Sequence, residues 1–188
     1  MNNLFTFCQR LTRITLLIFM CATLLSVVLF PFYAYAGEDG LLFDRAKRFA
    51  KSGDADLAYM NFNKILRDYP HSGHAETVMF AVAEYYFDTL QFKEAEKSFN
   101  EFIEKFPNSK AKLFAMAYLL KIAEKQKKET LLKELEKKII NFQKVSLVFR
   151  DHKEFAYLSA LNHPFKAIFQ INTIEFYRQG VLFAKISY

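Results

Sequence analysis

The chain has 188 residues, of which 52% are hydrophobic and 24% are charged, and it contains only 5 Gly and 4 Pro. This composition excludes a mainly disordered protein, because the chain has enough apolar surface to bury a core. The formal net charge is +6, but most basic residues alternate with Glu along the chain. A mild, interleaved charge of this kind disfavours nucleic acid as a partner.

The first element in the chain is a predicted export signal. Arg10 and Arg13 precede the apolar run Ile14–Phe30, which contains no charged residue. Positive charge before an apolar run keeps the N-terminus inside the cell, so we expect the rest of the chain to be exported. The predicted location is therefore periplasmic or secreted.

The residues that follow the apolar run predict where the signal ends. Ala34-Tyr35-Ala36 places small residues at the two positions that signal peptidase reads, which predicts a signal peptide of residues 1–36 with cleavage before Gly37. The alternative is an uncleaved helix that anchors the chain in the membrane, because about 20 apolar residues span a bilayer. Contact with a membrane is expected only through this segment.

Both cysteines of the chain, Cys8 and Cys21, lie within the predicted signal. Its removal would leave a protein without thiols, which excludes disulfides and cysteine nucleophiles. Lipid attachment at Cys21 is disfavoured because Phe19 and Met20 precede it, where a lipidation site has a small residue.

Residues 37–142 are predicted to form a domain of helical repeats. The stretches Ala58–Ser72 and Ala95–Ser109 match at a fixed offset of 37 residues. In each, Ala and Phe four positions apart share a helix face, and an aromatic residue followed by Pro ends the helix. The closing residues, Ser72 and Ser109, are expected to cap the helix that follows.

A further helix is predicted before each of these, at Leu41–Lys51 and Ala75–Leu90, and Gly53 supplies the turn after the first. A third unit begins at Ala111–Lys125 and continues to Ile139. It lacks the Ala and the Pro, which is typical of a degraded or capping repeat.

This pattern resembles the tetratricopeptide repeat, and especially the repeats of periplasmic outer-membrane assembly lipoproteins and Tol–Pal coordinators. The resemblance implies a mainly α fold of antiparallel helix pairs, with two clear repeats and one degraded repeat. The residues of the middle unit that carry it are Met79, Val82, Ala83, Tyr86, Ala95, Phe99 and Pro107.

The resemblance also implies a concave face lined by the first helix of each pair. The residues there are mostly apolar, which favours an amphipathic helix or an apolar peptide as ligand. The chain's own C-terminal segment could fill the groove instead, because a bare apolar groove promotes aggregation. The predicted groove residues are Phe43, Lys47, Phe80, Glu84, Phe87, Met116 and Leu120.

The segment 143–188 is richer in β-branched and aromatic residues and predicts a small antiparallel β element. Residues 175–188 indicate a hairpin with Gly180 at its turn. Helices bracketed by Pro164 and Gly180, continuing the repeats, are the alternative.

No enzyme, cofactor or metal site is predicted. His71 and His74 have a spacing found in zinc sites, but they lie in a turn between repeats without a nearby cysteine. We therefore predict an exported scaffold that binds a protein or peptide partner in cell-envelope assembly or maintenance. The alternative is a structural component of an envelope complex that an uncleaved N-terminal helix tethers to the inner membrane.

Overall fold

The computed structural model describes residues 37–146, 153–170 and 172–188, with side chains in the last helix up to Asn141. The described residues contain six helices followed by a four-stranded sheet, which confirms the mainly α fold with a small C-terminal β element. The helices are α1 Glu38–Lys51, α2 Ala55–Asp68, α3 Ala75–Asp88, α4 Phe92–Lys105, α5 Lys112–Lys125 and α6 Glu129–Ser146.

The residues from Leu42 to Tyr188 form one compact unit. From α2 to α6 each helix packs against the next, and α1 shares a cluster of buried residues with α2 and α3. Residues up to Leu41 belong to a separate unit, and Gly37–Leu41 is its described part. Among the described helices, none is both long and apolar enough to cross a membrane. The predicted spanning run Ile14–Phe30 lies outside the described residues.

The repeated residues are packing residues. Ala58 and Phe62 on α2, and Ala95 and Phe99 on α4, have no exposed surface. The small Ala lets neighbouring helices approach closely, while the Phe ring fills the space between them. The tetratricopeptide-like pattern therefore identifies the core rather than a binding surface.

The two serines expected to cap helices each lie two residues before the residue at the cap position. His74 and Ala111 precede α3 and α5, and neither side chain caps its helix. The Ser72 hydroxyl accepts a hydrogen bond from the His74 backbone N–H at 3.1 Å, and Ser109 does the same for Ala111 at 3.0 Å. Each serine therefore orders the turn that leads into the helix, so the capping prediction was wrong by two positions.

The turn within each helix pair repeats with a period of 37 residues. Gly53, Leu90 and Lys127 occupy equivalent places, with φ of 86°, 61° and 57°. In each turn the next residue donates its backbone N–H to the carbonyl five residues before it, at 2.8–2.9 Å. This is the left-handed ending typical of helix C-termini, and only the first turn has the glycine that it favours. The degraded third unit thus keeps the backbone of the repeat.

The C-terminal sheet is an antiparallel meander in the order β1-β2-β3-β4. Gln179 and Gly180 both have positive φ, 53° and 79°, and connect β3 to β4 in a two-residue turn. Such a turn matches the twist of a hairpin, which confirms the predicted turn at Gly180. The strands are β1 Lys153–Leu158, β2 Pro164–Phe169, β3 Thr173–Arg178 and β4 Val181–Ser187.

One face of the sheet packs on the helices. Alternate residues of β2 are buried, as expected for strands with one covered face. Helix α5 lies among α4, α6 and β4, so ten of its fourteen residues are buried. The sheet residues that join this core are Phe165, Ala167, Phe169, Ile174, Phe176, Ala184 and Ile186.

We expect Leu90→Gly to stabilise the protein by about 0.5–1 kcal/mol. A left-handed conformation costs a residue with a Cβ roughly 1–2 kcal/mol, and glycine avoids this cost. Glycine also loses more conformational entropy on folding, which offsets part of the gain. Leu90 is 70% exposed, so little packing is lost. Urea unfolding followed by circular dichroism measures the change.

Leu90→Ala is the matched control, because it removes the same side chain and keeps the strained backbone. If Leu90→Gly and Leu90→Ala were equally stable, the positive φ at residue 90 would not be a source of strain.

Candidate functional site

Of the seven predicted groove residues, two are at least partly exposed and five are buried. We call these five the covered set. Phe43 is half-buried and Lys47 is exposed, both on α1. The other five, on α3 and α5, are buried: Phe80 and Glu84 at 0% exposure, Met116 and Leu120 at 5%, and Phe87 at 7%.

Aromatic side chains of the sheet lie against the covered set. The ring of Phe80 is 5.1 Å from that of Tyr157 and 6.1 Å from that of Phe165, and Phe87 is 5.7 Å from Phe183. These edge-on contacts are the geometry that aromatic pairs prefer. Of the two occupants that the sequence allows, the structure places the chain's own C-terminal segment against Phe80 and Phe87. Contact of the seven residues with a partner stays a prediction.

A buried polar cluster lies in the middle of this apolar contact. Glu84 receives a hydrogen bond from the Tyr118 hydroxyl at 2.9 Å, and its Oε1 is 2.7 Å from His163 Nδ1. Burial raises the pKa of the Tyr118 hydroxyl well above its usual range, and the nearby Glu84 raises it further. Tyr118 therefore remains a neutral donor to the carboxylate.

Arg178, at the end of β3, completes the cluster. Its two terminal nitrogens donate to both carboxylate oxygens of Asp88 at 2.7 and 2.6 Å, and one of them lies 3.4 Å from Glu84. Burial favours the neutral form of Arg178, but its hydrogen bond to Asp88 and the charge of Glu84 outweigh this and raise its pKa. The guanidinium lies 5.7 Å from the ring centre of Tyr118, where cation and ring attract each other.

The cluster is a structural ion-pair network and does not fit a divalent cation. Glu84, Asp88 and His163 each offer one ligand atom, and these atoms lie within 4.8 Å of one another. However, Arg178 Nη2 is 2.6 Å from Asp88 Oδ2 and 2.8 Å from His163 Nδ1. A positive group therefore already neutralises the carboxylates at the place where a metal ion would bind.

The two histidines singled out in the sequence do not join this cluster. The ring of His74 stacks on Phe43 with centroids 4.1 Å apart and an angle of 6° between the planes. His71 is exposed in the turn before α3. The structure thus gives His74 a packing role against Phe43.

A pocket of about 280 Å³ lies beside Lys47. We call the surface of Phe43, Lys47 and this pocket the open end of the predicted groove. The pocket lies between α1 and the turn that joins β1 to β2, so the sheet forms one of its walls. The residues that line it are Asp44, Lys47, Arg48, Lys51, Leu158, Ser159, Ala160 and Asn162.

One member of the polar cluster was predicted from the sequence, and four were not. Glu84 was assigned to the concave face, but its partners Asp88, Tyr118, His163 and Arg178 were not connected to it. One signal was available: an acidic residue among Phe80, Ala83 and Phe87 on α3 requires a partner if that face is covered. The sequence did not show that β3 would bring an arginine there.

The chain matches the model of a protein family. The model of the YfiO family, described as outer membrane lipoprotein, matches residues 36–168, more than two thirds of the chain. The match covers all six helices and ends within β2, so β3 and β4 lie beyond it. It begins at Ala36 and includes neither cysteine. A search of curated protein sequences finds no significant match.

We expect Arg178→Ala to destabilise the protein by about 3–5 kcal/mol, because it leaves the fully buried Glu84 without its cation. Lys185→Ala is the matched control: Lys185 pairs with Glu175 at 2.9 Å on the exposed face of the same hairpin. Exposed pairs contribute about 0–1 kcal/mol. Urea unfolding of both variants and the parent measures the difference, and equal losses would show that the cluster has no special role.

Proposed function

Because the chain belongs to the YfiO family of outer membrane lipoproteins, we propose that it is an exported, non-catalytic scaffold of cell-envelope assembly. In this proposal it binds a protein or peptide partner through the concave face of its repeats. The family supports an envelope location and a protein-assembly role. The observation that carries the proposal is a concave face rich in aromatic residues, which already packs against extended chain from the same protein.

The partner contacts the open end of the groove and leaves the sheet in place. Removing the sheet would expose five large apolar side chains, which at about 1.5–3 kcal/mol each amounts to on the order of 10 kcal/mol. That is comparable to the whole stability of a typical domain, about 5–15 kcal/mol. The side chains concerned are Phe165, Phe169, Ile174, Phe176 and Ile186.

The seven groove residues therefore have two roles in the proposal. Phe43 and Lys47 contact the partner directly. The Lys47 ammonium lies 5.6 Å from the ring centre of Phe43, so one surface offers both an aromatic face and a positive charge. The other five, Phe80, Glu84, Phe87, Met116 and Leu120, hold the sheet that forms the opposite wall of the open end.

Export by a cleaved signal is the second part of the proposal. The predicted cleavage residues Ala34 and Ala36 lie outside the described residues, and Gly37 is the first described one. The start of the family match at Ala36 supports a folded part that begins at the predicted cleavage point. The second candidate function, a structural component tethered to the inner membrane, is favoured by the apolar run Ile14–Phe30.

A photo-crosslinking amino acid in place of Phe43 should join the protein to one discrete partner in the native envelope. Benzoylphenylalanine at this position preserves an aromatic ring, and therefore most of the stacking on His74. The same amino acid at Met60, which is 63% exposed on α2, is the matched control. Mass spectrometry of the crosslinked bands identifies the partner. Absence of a Phe43-specific product, or the same product from Met60, would reject the open end as the binding surface.

The intact mass of the protein isolated from the envelope should correspond to a chain that starts at Gly37. This follows from the small residues of Ala34-Tyr35-Ala36. A chain that retains Met1 would contradict the cleavage and favour the tethered component. A lipid-modified chain that starts at Cys21 would also contradict cleavage before Gly37, and it would agree with the family's description as outer membrane lipoprotein.

A further inference from the structure

The pocket at the open end has a strongly basic wall. Asp44, Lys47, Arg48 and Lys51 line it, at positions i, i+3, i+4 and i+7 of α1. Residues at this spacing share one face of a helix, so the three cations lie side by side along the pocket. All four side chains belong to exposed residues, which leaves the stripe accessible to a ligand.

The three cations of this basic stripe are not neutralised by the protein. Within the described part of the chain, no acidic side chain lies within ion-pair distance of Lys47, Arg48 or Lys51, although eight other lysines or arginines pair with acids there. Asp44 is the acidic residue among those that line the pocket. Three positive charges and one negative charge give the lining a net charge of about +2.

The opposite wall is rigid. Asn162 has a φ of 64°, its backbone N–H donates to the Ser159 carbonyl at 3.0 Å, and the Ser159 hydroxyl accepts from the His163 backbone N–H at 3.2 Å. Because His163 also contacts Glu84 at 2.7 Å, the buried cluster fixes this turn to α3. The pocket is therefore formed before a ligand arrives, which lowers the entropy lost on binding.

We propose that this pocket is a binding site for a phosphate group. Lys47, Arg48 and Lys51 supply the charge, with Arg48 able to donate two parallel hydrogen bonds, and the Asn162 amide supplies a neutral donor. A phosphate monoester carries about −1.5 to −2 and three acceptor oxygens, which match the net charge of about +2 and the several donors better than a single carboxylate does. The group can come from an anionic phospholipid headgroup or from a soluble phosphate.

The test compares two variants of the full mature chain, each of which loses three positive charges. The pocket variant is Lys47→Gln, Arg48→Gln, Lys51→Gln. The control variant is Lys110→Gln, Lys133→Gln, Lys137→Gln, in which all three lysines are exposed and lie outside the pocket. Calorimetry with inorganic phosphate at low salt should show binding to the parent that weakens at least about tenfold in the pocket variant. The control variant should bind phosphate like the parent.

Flotation with vesicles separates the two sources of the phosphate group. If the parent floats with phosphatidylglycerol vesicles but not with phosphatidylcholine, and the pocket variant does not float, the source is a lipid headgroup. If phosphate binds in the pocket and no vesicle is retained, the source is soluble.

Three results would overturn the site: no binding of phosphate or phosphatidylglycerol by the parent, equal losses in both variants, or pocket-dependent binding of a peptide carboxylate in preference to phosphate. The site does not rest on the scaffold proposal. A protein that crosslinks at position 43 but binds no phosphate would reject the anion site alone.

Discussion

The burial of Glu84 is the constraint on which the arrangement of helices and sheet depends. A carboxylate with no exposed surface is unfavourable unless donors and positive charge surround it. Tyr118 comes from α5, His163 from the turn between β1 and β2, and Arg178 from the end of β3. Glu84 on α3 thus gains a positive partner when the sheet lies against this helix with Arg178 beside it. Apolar packing supplies most of the attraction between the layers, and the polar cluster determines how they align.

The hydrogen bonding of the cluster is incomplete at two atoms. Glu84 Oε2 and Arg178 Nε have no hydrogen-bond partner among the described residues. Buried polar atoms of this kind reduce stability, so the network is better understood as specifying the position of the sheet than as the main source of its affinity. The edge-on aromatic pairs around it, Phe80 with Tyr157 and Phe87 with Phe183, account for the attraction.

The helical part of the fold was predictable because its signals are local. Ala58, Phe62 and Pro70, with their equivalents 37 residues later, predict both the helices and their pairing, since helix spacing and proline act within a few residues. A concave face lined by the first helix of each pair was expected from the resemblance to tetratricopeptide repeats. The segment that covers this face could not be predicted. The contacts of Phe80 with Phe165 and of Glu84 with Arg178 join residues far apart in the chain, so they produce no periodic pattern in the sequence. The phosphate pocket was missed for the same reason: its walls come from α1 and from the β1–β2 turn.

The distance along the chain between Glu84 and Arg178, 94 residues, has a consequence for the order of folding. Contacts between sequence neighbours form early, so the helix pairs assemble before the sheet can close over them. During that interval this face of α3 is in contact with water, and Glu84 is solvated in the middle of an aromatic surface. We expect its charge to keep like surfaces of newly made chains apart, since two such surfaces that met would each have to desolvate a carboxylate. The residue that later aligns the sheet therefore first protects the unfinished protein from association with its own copies.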